Sequence, residues 1–169
     1  EFWTVSTNLE TGKPENIRMR DCFAEIDALI ASASRPYVSK PIHYRGKLLL
    51  DGGCSDRVPL RAFQSMGFDR NVVVLTHPED HRVKDRDAAL VRLFYRKYPA
   101  FCRTFENSPQ DYEKTQAYLK AERHRFHYQT EGSDSGESSF ADPKAIIRAY
   151  EMGRRDALEV SKKLVRRAL

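Results

Sequence analysis

Leu48-Leu49-Leu50-Asp51-Gly52-Gly53-Cys54-Ser55-Asp56-Arg57-Val58-Pro59 is the stretch on which the fold turns. The leucine run reads as a short buried strand, and Asp51-Gly52-Gly53 as the turn that ends it. An acidic residue at the carboxyl end of an apolar strand lies where open α/β sheets bind ligands. Two glycines after it remove side chains that would block close approach. The placement suits a catalytic carboxylate, although the tripeptide alone reads more simply as a turn after a strand.

Immediately upstream, Ile42–Tyr44 and Lys47–Leu50 flank Arg45-Gly46, which predicts two short strands joined by a tight turn. Earlier still, Phe2–Thr7 and Asn16–Met19 flank Thr11-Gly12, a second hairpin pattern. Between the hairpins, Asp21 can cap a helix running to about Ala31, with Cys22, Ile26, Leu29 and Ala33 on one face and Pro36 closing it.

Downstream, Val58-Pro59-Leu60 starts a short helix that Met66-Gly67-Phe68 ends. Asn71–Thr76 predicts a buried parallel strand. Arg86–Tyr98 and Pro109 to about His124 predict amphipathic helices that turn Leu90, Leu93 and Phe94, and then Tyr112, Ala117, Tyr118 and Ala121, inward. Phe126–Thr130 reads as a strand, and Glu131–Ser139 as a loop with nothing to bury. Asp142 then caps a long helix with Pro143 at its first position and one buried stripe of Ile146, Ala149, Gly153, Ala157, Val160 and Leu164. Strands alternating with helices give an α/β layered domain spanning 1–169, strand-rich over 1–80 and mostly helical over 81–169.

The chain has 169 residues, enough for one domain that buries roughly 70% of its unfolded surface without staples. Its longest apolar runs fall far short of the ~20 residues of a membrane helix. Three cysteines, Cys22, Cys54 and Cys102, lack any paired spacing, so neither a disulfide framework nor a zinc site is expected. Reduced thiols point to a cytosol-like compartment, and the expected location is cytoplasmic or peripheral to a membrane. The net charge of +5 arises from 29 basic and 24 acidic residues interspersed, which is a weak pointer to anionic partners. The chain opens Glu1-Phe2-Trp3-Thr4-Val5 without Met, already in a strand pattern, so a longer parent protein is expected.

Leu48–Pro59 resembles the Asp-Gly-Gly/Ala motif of patatin-like phospholipases, serine acyl-hydrolases that use a Ser-Asp dyad. Other stretches resemble that family in order and spacing: Val5–Gly12 its strand and turn, Ala31–Pro36 its helix end, and Val72–Thr76 its following strand. Arg92–Pro99 and the Tyr150, Gly153, Asp156-Ala157 pattern resemble a bacterial branch of it. The resemblance implies a three-layer α/β/α domain, here incomplete. It makes Asp51 the dyad aspartate and Gly52 and Gly53 its turn glycines. It also implies a lipid or other acyl-ester substrate and no metal or organic cofactor. An aspartate in water is a weak base toward a hydroxyl, so desolvation and the placement of the serine have to assist it.

The resemblance leaves the nucleophile outside this chain. The family's G-x-S-x-G elbow and glycine-rich oxyanion loop are expected upstream of all the matching stretches. Gly132-Ser133-Asp134-Ser135-Gly136 has Asp134 at its centre and no strand-turn-helix pattern around it. The chain is therefore expected to be inactive alone and to need the N-terminal part of the same protein. Missing strands are expected to leave an exposed sheet edge and apolar face that favour association, including homo-oligomers.

Other candidates read more simply as structure. His77-Pro78-Glu79-Asp80-His81 has metal-ligand types but reads as a solvated loop, and His124 and His127 as exposed imidazoles at a helix end. Cys54 and Ser55 have no imidazole placed beside them, which leaves Cys54 as a packing residue. Lys162-Lys163 and Arg166-Arg167 complement a helix macrodipole. Arg18, Arg20, Arg61, Arg82, Arg92, Arg96 and Arg103, scattered among aromatics, leave a non-catalytic nucleic-acid or anionic-surface module as the alternative. No helix-turn-helix or RNP-like motif supports it.

Overall fold

Strand β1 (Phe2–Asn8) pairs antiparallel with β2 (Pro14–Met19) from Phe2↔Met19 to Thr7↔Pro14. The turn between them is built by Asn8, whose Oδ1 accepts the N–H groups of Glu10 at 2.9 Å and Thr11 at 3.2 Å. Gly12 has φ +67°, and a Cβ there would lie 2.6 Å from the carbonyl oxygen of Ala100. A residue with a side chain would be strained twice over at that point.

The computed structural model describes residues 1–69, 71–75, 88–121, 126–127 and 143–168. Strands β3 (Ile42–Tyr44) and β4 (Lys47–Asp51) form the second predicted hairpin. Both turn residues, Arg45 and Gly46, have positive φ, the type I′ geometry that matches the twist of flanking strands. β4 also pairs antiparallel with β1, which gives a four-stranded sheet in the order β2-β1-β4-β3. Beside it are helix α1 (Ile26–Ser32), a 3₁₀ turn at Gly52–Cys54, and helices α2 (Leu60–Ser65), α3 (Ala88–Phe94) and the first part of α4 (Pro99–Ala121). The architecture is mixed α/β with a small antiparallel sheet.

Two compact units make up the chain, Glu1–Met66 with Arg82–Thr115, and Gly67–His81 with Gln116–Leu169. The first unit's core joins Leu9, Leu50 and Cys54 to Val91 and Tyr95 of the α3 region and Phe101 and Cys102 of α4. Leu50, Val91 and Phe101 are fully buried, each contributing roughly 1.5–3 kcal/mol of transfer free energy. Arg92 and Glu106 tie α3 to α4 with a two-pronged ion pair, one prong at 2.8 Å. In the second unit, β5 (Asn71–Val72) pairs parallel with β6 (Phe126–His127), and helix α5 covers Pro143–Ala168.

Several helix faces differ from expectation. Asp21 caps a turn before α1, accepting the N–H groups of Phe23 at 2.8 Å and Ala24 at 3.1 Å. The helix proper then buries Ala28 and Ala31, while Ile26 and Leu29 are exposed. Small side chains allow α1 to approach the sheet closely, which the larger residues beside them would prevent. α4 starts at Pro99, not Pro109; Pro109 lies inside it, where its ring removes one backbone bond at a cost of about 3 kcal/mol. Burial of Phe101 and Cys102 in the preceding turns offsets that cost.

In the α3 region the buried residues are Val91 and Tyr95, with Leu90, Leu93 and Phe94 exposed. On α4 they include Tyr112, Gln116 and Leu119, while Ala117 and Ala121 are exposed. Of the expected buried stripe on α5, Ile146, Ala149, Gly153 and Ala157 are exposed and Val160 is half-buried, and the side chain of Leu164 lies outside the described residues. Periodicity marks an amphipathic helix but does not say which edge of the apolar arc meets a neighbour. Val72 and Val74 are exposed while Val73 and Leu75 are buried. That segment is covered on one face only, not buried on both. Among the described residues no helix is long and apolar enough to cross a membrane.

Candidate active site

Asp51 ends β4 opposite Ser6 of β1, and three hydrogen bonds anchor it. Its N–H donates to the carbonyl oxygen of Ser34 at 2.9 Å, its C=O accepts the Thr7 hydroxyl at 2.8 Å, and its Oδ1 accepts the N–H of Gly53 at 2.7 Å. The last bond makes Asp51 the N-cap of the 3₁₀ turn. Among the described residues no other hydrogen bond reaches the carboxylate, so one oxygen is fixed and the other is open on a half-buried side chain. That is the arrangement a proton acceptor needs: an orientation set by the backbone and a free lone pair.

The two glycines act differently from each other. A Cβ on Gly52 would lie 2.2 Å from the carbonyl oxygen of Val5, so the close approach that this glycine permits is that of β1's own backbone. A Cβ on Gly53 would sit 3.1 Å from Asp51 Oδ1, crowding the carboxylate itself. Both therefore shape the aspartate's position.

A second set of side chains braces the turn from behind. The Ser108 hydroxyl donates to the carbonyl oxygen of Gly53 at 3.2 Å, and Arg57 Nε donates to Ser108 Oγ at 3.2 Å. The Arg57 guanidinium lies 6.0 Å from the centre of the Tyr112 ring, within cation–π range. Thr7 and Ser55 share a hydrogen bond at 2.7 Å. Sequence reasoning missed Thr7, Arg57 and Ser108. Only Arg57 stands near the motif in sequence, and nothing in the pattern of α4 distinguishes Ser108.

The neighbouring nucleophile types are not activated. Cys54 is buried in the core, and burial first, with the negative charge of Asp51 second, pushes its thiol up to about 12, against the opposing charges of Arg57 and Arg35. A thiol so protonated is a packing residue. Asp56 is also shifted: burial raises its carboxyl above the ordinary range, while the Val58 N–H bond and the charge of Arg61 pull the other way. Thr4 and Ser6, on the same face of β1, have buried hydroxyls without a hydrogen-bond partner.

Among the described residues no three His, Cys, Asp or Glu side chains are grouped to hold a metal. His77 to His81, Arg82, His124 and Gly132 to Gly136 lie outside the described residues, as do the side chains of His127, Lys163, Arg166 and Arg167. Of the arginines considered for a nucleic-acid face, Arg18 pairs with Glu1 and Arg92 with Glu106. No protein-family model matches the chain, and no curated protein does.

Proposed function

We propose that this chain carries the aspartate of a Ser-Asp dyad in a lipid acyl-ester hydrolase with a three-layer patatin-like fold, the serine coming from a segment outside these 169 residues. The observation that carries the reading is the half-anchored carboxylate of Asp51 at the end of β4, with Oδ1 bound to Gly53 and the second oxygen open. The motif around it supplies the resemblance.

In this mechanism the open oxygen of Asp51 takes the proton of the serine hydroxyl as the serine oxygen bonds to the acyl carbonyl carbon. Backbone N–H groups of the upstream segment hold the oxyanion. The alcohol leaves with the proton returned by Asp51, and an acyl-serine remains. Water then gives a proton to Asp51 and attacks the acyl carbon; the serine regains that proton as the fatty acid leaves. No electron donor or acceptor enters.

The test is labelling with a serine-reactive fluorophosphonate, followed by intact mass. It compares the chain alone with the complete reading frame, wild type and Asp51→Asn. Labelling and ester turnover are expected only in the wild-type complete protein, with a loss of at least ~100-fold in the Asn variant. Stoichiometric labelling of the chain alone would place the nucleophile within it and sink the reading. So would wild-type turnover by a folded Asn variant.

A further inference from the structure

Gly53 is the weak joint of the Asp-Gly-Gly turn. The turn itself is closed by the main chain, where the N–H groups of Ser55 at 3.0 Å and Asp56 at 2.8 Å both donate to the carbonyl oxygen of Gly52. Neither bond holds the backbone of Gly53, and a glycine rotates more freely than any other residue. Its N–H is nevertheless the group that fixes Asp51 Oδ1. Among the described residues no main-chain N–H reaches the carbonyl oxygen of Gly53. The Ser108 hydroxyl does, at 3.2 Å.

Ser108 is only 4% exposed and lies inside α4, where a serine or threonine hydroxyl commonly bonds back to its own helix. Thr115, two turns further along, does so, donating to the carbonyl oxygen of Asp111 at 3.0 Å. The Ser108 oxygen instead accepts Arg57 Nε at 3.2 Å, which leaves its proton for Gly53. Tyr112 follows Ser108 by one turn on the same face of α4, and its ring centre lies 6.0 Å from the Arg57 guanidinium. One helix face thus grips the guanidinium at two points. A cationic donor also polarises the hydroxyl that it feeds and strengthens the next bond in the chain.

We propose that Ser108 and Arg57 are positioning residues for Asp51. Arg57 orients the Ser108 hydroxyl, and the hydroxyl holds the Gly53 carbonyl. The Gly53 N–H then keeps the carboxylate turned so that its open oxygen meets the attacking serine. The proposal rests on the Ser-Asp reading and adds to it the groups that keep the base aimed. Closure of the turn does not require them, because the Gly52 carbonyl already carries both main-chain bonds.

The first measurement needs only the 169-residue chain. In Ser108→Ala the Gly53 amide proton is expected to change its chemical shift and to exchange with solvent at least ~10-fold faster. An unchanged Gly53 amide would overturn the proposal. The second measurement is ester turnover by the complete reading frame. Ser108→Ala and Arg57→Met are each expected to lower kcat on the order of 10- to 100-fold, as a misplacement of about 1 Å does, with KM held within about twofold. The double variant should lose no more than Ser108→Ala alone, since the two residues act in one chain of bonds. Met19→Ala, which empties a buried site at the end of β2, should lower the urea midpoint and keep the wild-type kcat. Wild-type kcat in a folded Ser108→Ala variant, additive losses in the double variant, or an equal loss in Met19→Ala would overturn the positioning role and leave Asp51 as the base. Wild-type turnover by Asp51→Asn would remove the dyad reading and this proposal with it.

Discussion

Asp51 Oδ1 accepts the main-chain N–H of Gly53 at 2.7 Å, and this one bond gives the aspartate two roles. It ends β4 by capping the 3₁₀ turn, and it fixes the plane of the carboxylate so that the second oxygen has a defined direction. A turn residue and an oriented base are the same side chain here, because an aspartate that bonds the backbone two residues on has lost most of its rotamer freedom. The bracing by Thr7 on one side and Ser108 on the other extends that order into the core.

Gly52 is the residue at which the turn tolerates least. Gly52→Ala would place its methyl group against the carbonyl oxygen of Val5, in backbone that the pairing of β1 with β4 holds in register. The expected cost is about 3 kcal/mol, at the upper end for overpacking. The urea midpoint at constant slope measures it. Gly46→Ala, with open space around its Cβ, reports the positive-φ penalty alone and should cost about 1–2 kcal/mol. Equal losses in the two variants would show that the Val5 contact relaxes.

Both hairpins were legible in the sequence because their signals are local. Alternating β-branched and apolar residues, with Gly12 and Gly46 at positions of positive φ, specify register without reference to distant partners. The end of β4 at Asp51 was legible for the same reason. The helix faces were not. Val91 and Tyr95 are buried in preference to Leu93 and Phe94 because the core is completed by Phe101 and Cys102, whose helix runs unbroken through Pro109. The bracing of the Asp-Gly-Gly turn by Ser108 was equally hidden, since a serine 55 residues away acquires its role only through the packing of α4.

Asp56 makes stability fall as pH rises. Its folded-state pKa is raised above the ordinary 3.8, so the native state holds a proton that the unfolded chain releases in the window between the two values. The unfolded state binds fewer protons there, and the slope of stability with pH is negative through that window. Asp56→Asn keeps an oxygen for the Val58 N–H, which Asp56 Oδ1 now accepts at 3.2 Å, and removes the burial cost of the charge. Denaturant unfolding as a function of pH should therefore show the Asn variant equal to or more stable than wild type above the carboxylate range, with a flatter dependence. A variant less stable at neutral pH would mean that the charge of Asp56 is used, with Arg61 as its partner.

The three free thiols should separate cleanly by reactivity. Cys22 is exposed, whereas Cys54 and Cys102 are buried and burial raises both of their pKa values, that of Cys54 to about 12. At about pH 8 the thiolate fraction of Cys54 is on the order of one in ten thousand, before any steric protection is counted. Titration of the native chain with a chromogenic disulfide should thus report one fast thiol, lost in Cys22→Ser, with the other two appearing only on unfolding. Their rate of appearance in sub-denaturing urea then measures opening of the core that holds Leu50, Val91 and Phe101. Fast native labelling of Cys54 would instead show that the back of the Asp-Gly-Gly turn is open to solvent, and that the anchoring of Asp51 is looser than its hydrogen bonds imply.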